Sequence, residues 1–164
     1  MIGTKIYKPV ENWDEYAKIA EWCNANGAYI KEYEDRYEVV AIPAPTFDEL
    51  KERKLAELSA SFAARVAGSF TTTQGYKMQF DRSDSLAVQG MLELLEATGQ
   101  PTGYLTQADD TTVYDVPVAT IKAVLIEMLG AYAKCHQQKQ QYRAMINAAE
   151  TPEDLEKITF EWNV

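Results

Sequence analysis

VATIKAVLIEMLGAYAKCHQQKQQYRAMINAA, residues 118–149, is the stretch on which the fold of this chain turns. Within it Val118, Ile121, Leu125, Met128, Tyr132, Cys135, Lys139, Tyr142, Ile146 and Ala149 step by three and four residues throughout. That spacing is one face of a helix, and Pro117 suits its first turn. At 1.5 Å per residue the helix runs roughly 45–50 Å, longer than a small domain is wide. The 3.5-residue period is that of a coiled coil, in which a lone seam lysine such as Lys139 can set register and oligomeric state. The seam either pairs inside the chain, with a helix over residues 46–67, or associates with a second copy or a partner helix. The internal helix is too short to cover all of it. Its distal part (Cys135, Tyr142, Ile146) is therefore expected to contact another chain, because an exposed apolar stripe of that length is unusual on a monomer.

After the seam, Thr151-Pro152-Glu153-Asp154 caps a short helix, and Phe160 and Trp162 either fold back or wait for a partner. Before it, Tyr104-Leu105-Thr106 and Thr112-Val113-Tyr114-Asp115-Val116 read as a hairpin turning at Ala108-Asp109-Asp110. Phe70, Thr72, Tyr76, Met78 and Phe80 around Gln74-Gly75 read as an earlier hairpin. Between the two, Ser83 or Asp84 caps a helix carrying Leu86, Met91, Leu92, Leu94 and Leu95, which Gly99-Gln100-Pro101 ends. Further upstream, Thr46 and Glu49 open a helix with the stripe Leu50, Leu55, Leu58, Phe62 and Val66, solvated early and packed late, with Gly68 at its end.

The first 45 residues read as a βαββ module. A strand stops near Pro9, and Asn12, with Glu15 three residues on, caps a helix whose apolar face is Trp13, Tyr16, Ala17, Ala20 and Cys23. Gly27 ends the helix. Tyr29-Ile30 and Tyr37-Glu38-Val39-Val40-Ala41-Ile42 form two strands about the turn Glu34-Asp35-Arg36, and Pro43-Ala44-Pro45 is a stiff linker. The class expected is α+β: the N-terminal βαββ module (1–45), a connecting helix (46–68), and a C-terminal domain of two β-hairpins flanking a helix and followed by the long helix (69–164).

Composition narrows function. A net charge of −9, without clustered Lys and Arg, argues against nucleic acid as a partner. Cys23 and Cys135 stand far apart and read as buried or free thiols of a reducing cytoplasm. Met1-Ile2-Gly3-Thr4-Lys5 does not read as a leader, and residues 116–128 are too short and too charged to span a bilayer, which needs about 20 apolar residues. A soluble, intracellular protein with no membrane partner is expected.

Chemistry is hard to find. His136 is the only histidine, set among Gln137, Gln138, Lys139 and Gln140, so a Ser-His-Asp or Cys-His arrangement has that single group to draw on and a multi-histidine metal site is excluded. No glycine-rich phosphate loop or GxSxG elbow occurs. Asp81 and Asp84 suit a helix start, and Asp109 and Asp110 suit a turn. The expectation is no enzyme, no catalytic residue, no cofactor and no metal.

Ala20-Glu21-Trp22-Cys23-Asn24-Ala25-Asn26-Gly27-Ala28, followed by Tyr37 to Pro45, resembles the opening module of small tail-fibre assembly proteins of bacteriophages and prophages. The remainder resembles a C-terminal phage domain of unassigned function. It does so through Phe80-Asp81, Asp84-Ser85, Asp109-Asp110-Thr111-Thr112-Val113 and the run from Ile146 to Ile158 closing on Trp162. Where relatives often carry Trp at the start of the second hairpin, this chain has Tyr104-Leu105. The resemblance implies a non-enzymatic accessory protein made in the host bacterial cytoplasm that assists folding, trimerisation or attachment of a tail-fibre protein. The alternatives are a structural component of the virion tail or fibre joint, and an acidic inhibitor of a host protein. The expected partner surface is Tyr132, Cys135, Tyr142, Ile146 and Trp162, open to the fibre chain or to a second copy through the C-terminal helix.

Overall fold

The structure, a computed structural model, describes residues 1–163 and divides into two units, Met1–Thr46 and a second that begins at Phe47. The fold is α+β.

In the first unit β1 (Lys5–Tyr7), α1 (Trp13–Ala25), β2 (Ala28–Glu32) and β3 (Arg36–Ala41) follow in order. The sheet runs β1-β3-β2, antiparallel throughout, with Ile6 opposite Tyr37 and Ile30 opposite Val39. The Asn12 side chain accepts the Glu15 amide at 3.1 Å and so starts α1. Gly27, at φ 59°, turns the chain out of it. The buried face of the helix is Ile19 and Cys23, set on Ala28 and Val39. This corrects the expected stripe: Trp13 is 63% exposed and Ala17 is also outside. Two overlapping stripes share Tyr16, Ala20 and Cys23, and the aliphatic bulk of Ile19 decides which one meets the sheet.

The second unit contains α2 (Phe47–Val66), β4 (Ser69–Thr71), β5 (Lys77–Gln79), α3 (Arg82–Thr98), β6 (Thr102–Thr106), β7 (Thr112–Pro117), α4 (Val118–Ala148) and α5 (Pro152–Glu156). β4 pairs with β5 and β6 with β7 as separate hairpins. α4, 31 residues long, is the spine. Its first half packs with α3 and both hairpins around Phe80, Leu105, Ile121 and Met128. Full burial of each such side chain contributes about 1.5–3 kcal/mol. Its second half is covered by α2, which runs antiparallel to it: Lys51 Nζ donates to the Asn147 carbonyl at 3.2 Å, while Phe62 meets Tyr132 at a ring distance of 6.0 Å. α2 is thus a core element of this unit, with Leu58 and Phe62 buried in the interior. Thr73, between β4 and β5, donates from its amide and hydroxyl to Glu127 at 2.8 and 2.6 Å, fastening that hairpin to α4.

Two local readings also change. Asp81, not Ser83 or Asp84, caps α3, accepting the Asp84 amide at 2.8 Å. The inward line of α3 is Ser85, Val88, Leu92 and Leu95, while Leu86 and Leu94 face out. Among the described residues no helix is long and apolar enough to cross a membrane.

Candidate functional site

The distal seam is closed. Cys135 and Ile146 have no exposed surface, and burial pushes the Cys135 thiol up from its ordinary pKa. Tyr132 stacks beside His136 and against Phe62. The Tyr142 hydroxyl donates to the Glu161 carbonyl and accepts the Glu161 amide, each at 2.9 Å. Trp162 packs across Phe62 and Tyr142. Cys135 and Ile146 therefore lie inside the chain and not on an open face, while Tyr132, Tyr142 and Trp162 are half-buried. The 46–67 helix leaves part of the seam bare, but the returning segment with Leu155, Ile158, Phe160 and Trp162 supplies the rest of the cover. Lys139, read as a coiled-coil register residue, lies over the Phe62 ring of its own chain at 4.4 Å.

A different place is open. Between β5, α3, β6 and the β6–β7 turn lies a hollow of about 330 Å³, with Met128 of α4 among its lining residues. Of its apolar lining Val88 and Met91 are half-buried, while Met78, Leu105 and Met128 are almost wholly covered, and Asp84, Tyr104, Gln107 and Asp110 add polar groups. Its volume is at the small end of ligand-binding cavities. The Met91 thioether gives it some flexible, polarisable surface.

Local rules place each part. The two hairpins are tied edge to edge: the Ala108 amide donates to the Lys77 carbonyl at 2.9 Å, and the Lys77 amide to Gln107 Oε1 at 3.0 Å. In the turn, Asp109 accepts the Thr111 amide at 3.1 Å, which holds its carboxyl below the usual range. Asp110 takes a left-handed φ of 64°, and its carboxylate has no hydrogen bond or ion pair among the described residues. Asp84 differs from both. Burial, and then the neighbouring Asp81, raise its carboxyl above the ordinary aspartate value.

A bulge sets the aromatic edge. Gly103 pairs with Val116 and Leu105 with Val113, so Tyr104 alone stands opposite Tyr114 and Asp115, the latter at φ 56°. Val113 and Val116 consequently both turn toward the core, although they stand three positions apart. Tyr104 and Tyr114 are left outside, 50% and 72% exposed, with ring centroids 6.3 Å apart.

None of the five residues expected to bind a partner lines this hollow. Its own residues come from five segments, and the sequence spoke for them only locally: Asp84 as a helix start, Tyr104 as a strand, Asp110 as a turn. The one signal left unused was that three of the five methionines, Met78, Met91 and Met128, lie in the segments that converge here. Among the described residues no group of three or more His, Cys, Asp or Glu is placed to hold a metal.

Residues 49–159 match the family described as Domain of unknown function (DUF4376), a span from the first turn of α2 to just beyond Ile158. No curated protein matches the chain, and no solved structure matches it.

Proposed function

The chain belongs to the DUF4376 family, and from that premise we propose that it is a non-enzymatic accessory protein of a bacteriophage or prophage tail, made in the host cytoplasm, that binds tail-fibre chains and assists their assembly. The observation that carries the reading is the exposed Tyr104–Tyr114 pair beside the hollow that Val88 and Met91 help to line. Amphipathic aromatics beside a half-buried methionine make a contact surface that adapts to a protein segment. The resemblance of the first 45 residues to the opening of tail-fibre assembly proteins supplies the client. Unassembled fibre chains expose strand edges and apolar repeats that aggregate unless covered.

The test is co-expression with the neighbouring fibre gene. Soluble trimeric fibre should accumulate with the wild-type chain and fall several-fold with Met91→Trp, which fills the hollow. Unchanged fibre yield without the chain would overturn the reading. Recovery of the chain in purified particles at stoichiometric amount would make it a structural tail component instead.

A further inference from the structure

We propose that the outer face of α3 is a self-association surface: two copies of the chain pair across Gly90, each setting its Leu94 into the trough beside the other's Leu86.

The outward side of α3 carries Leu86, Gly90 and Leu94, each one helical turn from the next, and the two leucines are 55% and 63% exposed. Residues four apart form a ridge along a helix, and such ridges interdigitate in the commonest class of helix packing. Gly90 is a notch in the middle of this one. A glycine inside a helix lowers its stability. Nothing in the single chain requires it, since a Cβ at Gly90 would meet no atom within 4 Å. A crossing helix does require it, because the missing side chain lets two helix axes approach closely.

The two ends of the ridge complement each other. At the Leu86 end an open trough of about 430 Å³ lies between α2, α3 and α4. Leu86 and the half-buried Tyr132 are its accessible apolar wall, above the largely covered Phe62 and Val66, and Arg82 also lines it. At the other end Leu94 projects, about 12 Å along the axis from Leu86, with Gly90 midway. A two-fold axis through Gly90 therefore brings each Leu94 over the trough of the second copy. Knob and hollow equidistant from a notch make one patch that matches itself, the requirement of an isologous interface.

Charge fits the same antiparallel arrangement. Arg82 makes no ion pair among the described residues. Glu93, next to Leu94, accepts only the Gln89 side-chain amide, at 2.9 Å. Pairing carries each Arg82 to the end of the other α3 that bears Glu93. One helix face with its trough is a small contact, so the dimer is weak and reversible, with Kd of about 10–100 µM.

The experiment is sedimentation of the full chain from about 5 to 500 µM, a range that takes a dimer of that strength from mostly monomer to mostly dimer. Leu94→Asp should stay monomeric throughout. Gly90→Leu should also stay monomeric, yet melt higher than wild type at the lowest concentration, because its side chain enters open space in the single chain and favours the helix. Arg82→Glu should weaken pairing about tenfold, and adding Glu93→Arg should restore it. A wild type that is monomeric at the highest concentration would overturn the proposal. So would a Gly90→Leu variant that pairs as tightly as wild type, or a charge reversal that restores nothing. If the wild type is monomeric and Leu94→Asp abolishes fibre rescue, the face contacts the client and the second copy is excluded. Fibre rescue by a chain that never pairs leaves the assembly function standing.

Discussion

Trp162 donates from its indole nitrogen to the Ser61 hydroxyl at 2.9 Å, a bond between residues 101 positions apart. It joins the returning tail to the inner face of α2, and Trp162 touches both buried clusters of the second unit. Trp162→Phe should cost about 1 kcal/mol, one hydrogen bond with its ring packing mostly kept. Trp162→Ala should cost about 3 kcal/mol and bare the Tyr142 edge. Urea unfolding reads the two, and a Trp162→Phe variant as stable as wild type would deny the hydrogen bond any weight.

Ser85 is a second case of buried polarity, with the opposite sign. Its hydroxyl is enclosed in the inward line of α3 and has no partner among the described residues. A buried unsatisfied hydroxyl costs about 1–3 kcal/mol. Ser85→Ala, which also raises helix propensity, should stabilise the chain by about 1 kcal/mol in a thermal or urea melt. A destabilised variant would show that the hydroxyl has found a partner.

The two acids at the start of α3 should give opposite pH dependences. The Asp84 amide and then the Ser83 hydroxyl hold Asp81 low, so its contribution is complete above the ordinary aspartate range and is lost as pH falls through the folded value. Asp81→Ala should cost about 1 kcal/mol at neutral pH, and the gap to wild type should close on acidification. Asp84 is raised; its penalty sets in as pH climbs from the ordinary aspartate value through the higher folded one. Asp84→Asn should melt higher than wild type at pH 7 and match it below pH of about 3. Melts of both variants across that window decide the signs.

Gly103 and Gly90 should respond in opposite directions to one added methyl. A Cβ at Gly103 would stand 2.5 Å from Leu95 Cδ1 and 3.1 Å from Ile121 Cδ1, and Ile121 is fully buried. Gly103→Ala should cost about 2 kcal/mol through overpacking where α3 meets β6. At Gly90, inside α3, nothing lies within 4 Å, so Gly90→Ala should gain about 0.5–1 kcal/mol from helix propensity. Paired denaturation curves test both.

How far the sequence could be read depended on the range of the information. Elements announced themselves through local rules: the three-four stepping of α4, Asn12 before α1, Gly99 after α3. Faces were harder. In α3 apolar residues occupy adjoining positions, so Leu86 and Leu94 compete with Val88 and Leu95, and only the packing of Phe80 and Leu105 settles which go inside. The hollow was least legible, because Met78, Asp84, Met91, Tyr104, Asp110 and Met128 meet only after five segments have assembled. The seam was read correctly as apolar, but what covers it lies beyond its own helix, in Ile158, Phe160 and Trp162.

The distance along the chain between Ser61 and Trp162 has a consequence during synthesis. At about 5–20 residues per second, the 101 positions from one to the other take roughly 5–20 s to emerge from a ribosome. For most of that interval Leu58 and Phe62, buried in the finished unit, have nothing of the distal seam or the tail to pack against. The nascent α2 must wait with its greasy side uncovered. The charges that crowd its opening turns, Asp48, Glu49, Lys51, Glu52, Arg53 and Lys54, are suited to keeping so long-lived an intermediate dissolved while neighbouring ribosomes on the same message bring identical segments close by.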